Sequence, residues 1–213
     1  MTVRAESRRK PAGAAVLQED VTSAIRAAVF AELAEVGYGR LSMESVARRA
    51  KVGKTALYRR WPSKRDMVVA IVSGLAAAAI PFADTGSLTG DVSAFLREAY
   101  EALRTPMVSE ILPDLLAEGA RSSELGDDLL SGVRDPRRAR AGDLIRRAIN
   151  RGELPCEVDI ETAVDLLAGP LYWRITVVRT PTDLAYIDRL TQIVVAGIKA
   201  AAQAPDPAAA RSP

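Results

Sequence analysis

The sequence predicts an all-α protein in which a small N-terminal head of three helices, a helix-turn-helix, precedes a larger C-terminal helical domain. Three observations carry this. Hydrophobic residues make up 48% of the 213 residues but aromatics only 5%, so Ala, Leu, Val and Ile fill the interior, and Ala and Leu are good helix formers. Apolar residues recur at three- and four-residue spacing along most of the chain, and no segment alternates as a strand does. Near the N-terminus two short helical patterns flank a tight turn beside a longer one, the form of a helix-turn-helix.

Residues 1–17 carry Arg4, Arg8, Arg9 and Lys10 beside Pro11 and Gly13 without apolar periodicity, and read as a disordered basic arm. The head follows over 18–66. From Gln18 to Val36, Val21, Ile25, Ala28, Val29 and Leu33 mark one face of a helix that Gly37 ends. Ser42 stands where an N-cap belongs, and Met43, Val46, Ala47 and Ala50 form the stripe of a second, short helix. "KVG" interrupts it. A third helix over 54–61 stops at Pro62, and Ser63 to Asp66 has the form of a capping box opening a long connecting helix over 67–80.

Pro81 to Gly86 breaks the pattern and marks a domain boundary within the larger region, 67–202. Val92, Phe95, Leu96, Ala99 and Leu103 define the next helix; Val108, Ile111, Leu112, Leu115 and Leu116 define another, with Pro113 a kink. Leu125 to Val133 is helical, and after Asp135-Pro136 a helix carries Leu144, Ile145, Ala148 and Ile149 to a stop at Gly152. Two final helices run from Ile160 to Val178, through Gly169-Pro170, and from Leu184 to Ala201. The Pro- and Ala-rich tail, 203–213, reads as disordered.

Composition excludes much chemistry. With no histidine and a single cysteine, Cys156, the chain can form neither a Ser-His-Asp triad nor a Cys-His pair nor an internal disulfide, and nothing calls for a metal or cofactor. Cys156 sits among acids, which disfavours a reactive thiolate. No signal-peptide pattern opens the chain, and the long uncharged run after Asp66 is broken by Gly74 and Pro81, so a buried helix is expected rather than a membrane span, and a cytoplasmic location. Net charge is only +2, yet residues 1–66 hold 14 Lys and Arg against 7 Asp and Glu, whereas the remainder holds 15 against 20. A basic head on an acidic body is expected when only the head faces nucleic acid.

The stretch "GKTALYRRWPSK", residues 53–64, supplies the contact. A helix laid in the major groove reads bases with its exposed face while its flanks anchor on phosphate. Here Lys54, Thr55, Tyr58 and Arg59 form that face, with Ala56, Leu57 and Trp61 turned inward. Lys64 opens the next helix, where backbone amides and the dipole favour an anion, and Ser42 does so one helix earlier.

"LSMESVARRAKVGKTALYRRWPSKRDMV", residues 41–68, resembles the DNA-binding segment of the TetR (tetracycline-repressor) family of bacterial regulators. The resemblance implies a DNA-binding head, a ligand-binding and dimerisation domain, and a homodimer built through the last two helices. It implies further that Lys54 and Thr55 face bases, that Ser42, Tyr58 and Lys64 meet phosphate, and that Leu57 is core. Two positions depart from the family pattern: Lys51 stands where glycine is usual in the turn, and Ala56 where threonine is usual.

In the larger domain Phe95, Tyr100, Met107, Leu112, Leu116, Tyr172 and Trp173 are candidates to line an apolar cavity, against the plainer reading as core or dimer interface. Arg121 and Arg174 are candidates for an acidic effector or for surface salt bridges. The function expected is a ligand-responsive repressor that binds a near-palindromic operator in double-stranded DNA as a homodimer and answers to a small-molecule effector of unknown identity. A constitutive architectural DNA-binding protein and a helical enzyme are the alternatives. The second lacks support, since Asp127 with Asp128, and Asp159 with Glu161, do not face one side of a helix.

Overall fold

The computed structural model describes residues 13–77 and 84–203, and every element there is helical. The chain divides into two compact units, one ending at Ile71 and the other beginning at Val72.

The first unit opens with α1, Gly13–Arg40, broken at Gly37, whose φ of 74° takes the chain out of the helix. That is the position where the missing Cβ was expected to matter. Residues 13–17, expected within an irregular arm, belong to α1: "GAAVL" contains nothing to stop a helix between Gly13 and Gln18. Residues 1–12 of that arm lie outside the described residues. The second helix, α2, spans Met43–Arg49, α3 spans Lys54–Arg60, and α4 spans Lys64–Ala77. Their interior faces supply Ile25, Val29, Leu33, Val46, Leu57, Met67 and Val68, each at most 2% exposed. The expected continuation of α4 to residue 80 and the Pro81 break fall largely in 78–83, outside the described residues.

Three helix ends explain how two such short helices hold. Ser42 and Ser45 cap α2 reciprocally: Ser45 N–H donates to Ser42 Oγ at 3.1 Å, and Ser42 N–H donates to Ser45 Oγ at 3.3 Å. At the other end Val52 N–H donates to Ala47 O and Lys51 N–H to Arg48 O, at 3.0 and 3.2 Å, the paired bonds of a Schellman motif. Its left-handed position is Lys51, with φ 56°. The turn therefore keeps the geometry that glycine usually provides and accepts a Cβ in a region that disfavours one. Ser63 caps α4 as expected, accepting from Asp66 N–H at 3.1 Å.

In the second unit α5, Leu88–Arg104, is the central helix: α6 (Pro106–Arg121), α8 (Asp135–Asn150), α9 (Ile160–Tyr172) and α10 (Leu184–Gln203) all pack against it, while α7 (Ser123–Leu129) packs on α6. Leu88, Val92, Leu96, Leu144, Ile145, Leu167, Ile187 and Val194 are fully buried between them. The α6 helix continues through Pro113 as one element. Gly152, at φ 75°, closes α8 in a second Schellman motif, with Glu153 N–H on Ala148 O at 3.0 Å. The expected disordered tail begins at Gln203, which instead closes α10; residues 204–213 lie outside the described residues.

Two segments expected as plain α-helix change pitch. Leu130–Arg134 and Trp173–Val177 are π-helical turns, the first running directly into α8 and the second extending α9. Each neighbours a proline, Pro136 and Pro170. Pro136 has no N–H for the carbonyl four residues back, that of Gly132 inside the first of these turns, and the wider turn re-registers the ladder around that gap. In the second turn Val178 N–H reaches Trp173 O, five residues back, at 2.9 Å.

An ion cluster ties the segment before α5 to the end of α8. Asp91, with no exposed surface, accepts from Thr85 N–H and Oγ1, both at 2.8 Å, and from the Arg151 guanidinium at 3.0 Å. Arg151 also donates to Glu153 at 2.7 Å and to Asp84 at 2.9 Å. The Glu153 carboxylate in turn accepts from Leu88 N–H, the first amide of α5.

Candidate nucleic-acid interface

From Leu41 to Arg65 the chain carries eight Lys and Arg and one acid, Glu44. The packing of α2 and α3 decides which of the cations face outward. Leu57 is fully buried, and burying it turns Lys54, Thr55, Tyr58 and Arg59 to solvent, Tyr58 with 40% of its surface exposed. Ala56 and Trp61, expected to turn inward, are half-buried. Ser42 is half-buried, its amide and its oxygen lone pair engaged in the capping box, which leaves the hydroxyl proton outside the box.

Several arginines are committed within the head. Arg49 donates to Glu32 at 2.7 Å and also pairs with Glu35, while Arg60 donates to Thr22 Oγ1 at 2.7 Å. Burial works to raise the Glu32 carboxyl, but its hydrogen bonds with Ser45 and Arg49 outweigh that and hold it below the usual carboxylate range. Arg48 and Arg59 stand on the exposed surface.

Two lysines make contacts that sequence reasoning missed. Lys54, the first residue of α3, forms an ion pair with Glu44 of α2, and its Nζ lies 5.7 Å from the centroid of the Tyr58 ring. The pair raises the lysine and lowers the carboxyl, each through the hydrogen bond between them. Lys64 Nζ donates to Tyr38 O and Gly39 O at 2.9 and 3.1 Å and lies 4.5 Å from the Tyr38 ring centroid. The only sequence signal for the first contact was the isolation of Glu44 among cations; the second, 26 residues apart, left none.

In the second unit the six residues named for a ligand cavity, Phe95, Tyr100, Met107, Leu112, Leu116 and Trp173, are spread between core and surface. Phe95 and Tyr100 are buried in the core cluster, and Tyr100 Oη donates to Thr182 O at 2.7 Å. Met107 stands in the first turn of α6 and Leu112 is half-buried in its middle. Leu116 is 44% exposed and Trp173 61%. Tyr172 is partly buried against the core, where burial raises its hydroxyl above the usual value. Arg121 pairs with Glu118 at 3.1 Å, and Arg174 donates to Thr182 Oγ1 at 3.1 Å and to Pro181 O at 2.9 Å while stacking on Tyr186. A surface cleft of about 360 Å³ between α8 and α9 is charged instead of apolar, lined by Arg134, Arg138, Arg146 and Glu161 among others. Among the described residues no His, Cys, Asp and Glu side chains gather as metal ligands, and no helix is long and apolar enough to cross a membrane.

Comparison with known proteins agrees with this architecture. Residues 25–71 match the model for bacterial regulatory proteins of the tetR family, and residues 82–194 match that for the tetracyclin repressor-like C-terminal domain. The chain is 32% identical over 181 residues to the DNA-binding transcriptional repressor TetR of Mycobacteroides abscessus, covering 83% of this chain and 93% of that protein. It is 29% identical over 161 residues to the HTH-type transcriptional regulator AqdR of Rhodococcus erythropolis, covering 75% and 77%. Among solved structures, the TetR family transcription regulator SCO0332 superposes with a TM-score of 0.66 at 29% identity, covering 84% of this chain and 98% of that one. A Bacillus subtilis FadR in complex with stearoyl-CoA shares the fold, with a TM-score of 0.65 at 13% identity over 83% of this chain and 98% of that one. With both of its halves matched and a helix-turn-helix at its basic end, the chain belongs to the TetR family of DNA-binding transcriptional regulators.

Proposed function

We propose that the protein is a homodimeric, ligand-responsive repressor whose paired heads occupy a near-palindromic operator. The observation that carries the reading is the geometry of α3, whose one fully buried residue, Leu57, turns Lys54, Thr55, Tyr58 and Arg59 outward together. In this reading Lys54 and Thr55 meet base edges, and Tyr58, Arg59, Ser42 and Lys64 fix the head on phosphates. Exposed Trp173, Val177, Val178, Leu184 and Ile193, all at the end of α9 or on α10, support pairing of two chains through the C-terminal elements. Stearoyl-CoA in one fold neighbour supports a small molecule as the effector, though its chemistry does not transfer at that identity. Phe95, Tyr100, Met107, Leu112, Leu116 and Trp173 remain the residues to probe for it. The protein acts in the cytoplasm, on DNA, and catalyses no reaction.

Release follows by linkage. An effector that binds better when the heads are wrongly spaced for successive major grooves, about 34 to 36 Å apart, must weaken DNA binding by the same factor. The test is selection of bound fragments from random duplex with the full chain, followed by mass determination of the free and bound protein. A dyad-symmetric motif bound by two chains is expected; binding without sequence preference would instead favour the architectural alternative.

A further inference from the structure

The Glu44–Lys54 pair is not explained by stability. Both side chains are more than half exposed, and solvent-exposed ion pairs contribute little to stability. Its placement is costly for any surface that meets phosphate, because Glu44 is the sole acid among the eight cations between Leu41 and Arg65 and a carboxylate can only accept hydrogen bonds. What a carboxylate can do in a major groove is accept from the exocyclic amine of cytosine, and what the ammonium beside it can do is donate to O6 and N7 of guanine. An acceptor and a donor held side by side match the two edges of one G·C pair.

We propose that Glu44 is a specificity-determining residue: it holds the Lys54 ammonium at the start of α3 and, with it, reads a G·C pair, Lys54 on the guanine and Glu44 on the cytosine amine. This rests on the DNA-binding reading above and adds a second helix, α2, to the base-reading surface. Three features of the contact suit the role. Lys54 is a flexible point charge that alone would sample many rotamers, and the carboxylate on one side with the Tyr58 ring, 5.7 Å from its Nζ, on the other restricts it. Glu44 lies in the first turn of α2, one residue past Met43 and two past the capping Ser42, so the capping box fixes the backbone from which it projects. Finally, the like-sign repulsion between Glu44 and the DNA backbone weakens every sequence alike, while the cytosine contact repays it at the matching pair alone, which is how a site gains discrimination from an unfavourable group.

The test compares full-length wild-type protein with Glu44→Gln, Glu44→Ala and Lys54→Ala, selecting from random duplex and then titrating each protein on the selected site, on that site with single pairs changed, and on unrelated duplex. Wild type is expected to select a motif with a required G·C pair in each half-site. Glu44→Gln and Glu44→Ala should lower discrimination at that pair by roughly tenfold or more, leave the other positions unchanged, and tighten binding to unrelated duplex without changing its salt slope, since no phosphate contact is lost. Lys54→Ala should relax the same pair. If both Glu44 variants keep the wild-type preference at every position, the proposal is overturned while DNA binding stands. If wild type itself selects no motif, both readings fail together. Melting temperatures near that of wild type for the exposed Glu44 variants separate these outcomes from misfolding.

Discussion

Lys64 and Tyr38 tie the start of α4 to the end of α1: the ammonium at the first position of α4 donates to the Tyr38 carbonyl at 2.9 Å and stands 4.5 Å from the centroid of the same residue's ring. The carbonyls of Tyr38 and Gly39 follow the break at Gly37, and a cation supplies the donor that the interrupted helix no longer provides. A lysine expected only at phosphate thus has a structural partner in the protein without DNA.

Lys64→Met should therefore destabilise the head by about 2 kcal/mol, the magnitude of a charge-assisted hydrogen bond with a cation–π contact at a partly exposed site. Tyr38→Phe keeps the ring and the carbonyl that Lys64 contacts, so Lys64→Met should cost as much in that background as in wild type. Urea unfolding of both variants and of the double variant checks this. If Lys64 also meets phosphate, Lys64→Met loses about one unit of salt slope for DNA binding, and Tyr38→Phe loses none.

Lys51 occupies the left-handed position of the turn between α2 and α3. Replacing it by glycine removes a steric penalty of about 1 to 2 kcal/mol and adds back some unfolded-state entropy. Lys51→Gly should raise stability by about 0.5 to 1 kcal/mol, read as a higher urea midpoint at unchanged slope. Lys51→Val, β-branched at the same φ, should lower it.

Leu57 is the inward residue of α3 and is fully buried. Truncation to alanine should cost about 2 to 5 kcal/mol, enough to melt the head's helices, and a thermal scan by circular dichroism should register the loss. Leu57→Met, of similar volume, should cost less than about 1.5 kcal/mol.

The cluster around Asp91 predicts acid sensitivity. Burial acts to raise the Asp91 carboxyl, but hydrogen bonds from Thr85 and Arg151 outweigh it, and the same balance of burial against Leu88 N–H and Arg151 applies to Glu153, so both stand below their usual values when folded. A depressed folded value means that the stabilisation is fully present above the unfolded value, near pH 4, and is lost as pH falls below it. Asp91→Asn should cost about 2 to 3 kcal/mol at pH 7, at or below the low end for a broken buried pair because Arg147 and Arg151 reach solvent. The gap between wild type and variant should close as pH falls below about 4 in a series of denaturation midpoints.

Local signals were legible in the sequence. Gly37, Ser42, Ser63 with Asp66, and Gly152 mark helix ends where expected because a cap depends on residues within one turn of it. The face of α3 was legible for the same reason. The two π turns were not, since five residues are too few for apolar periodicity to distinguish a wider turn. Glu44 with Lys54, Lys64 with Tyr38 and Asp91 with Arg151 join residues 10, 26 and 60 apart, and such pairs follow from how helices pack. Core and cavity residues share one apolar pattern, so spacing alone could not separate buried Phe95 and Tyr100 from exposed Leu116 and Trp173.

The turn at Lys51 also sets a limit on length. An α-helix advances about 100° per residue, and the bonds from Val52 and Lys51 back to Ala47 and Arg48 leave only Gly53 before α3 begins. One extra residue there would either rotate α3 about its axis, lifting Leu57 off its seat and swinging Tyr58 toward the interior, or break the turn altogether. Side chains in this connection can be exchanged; its count of residues cannot.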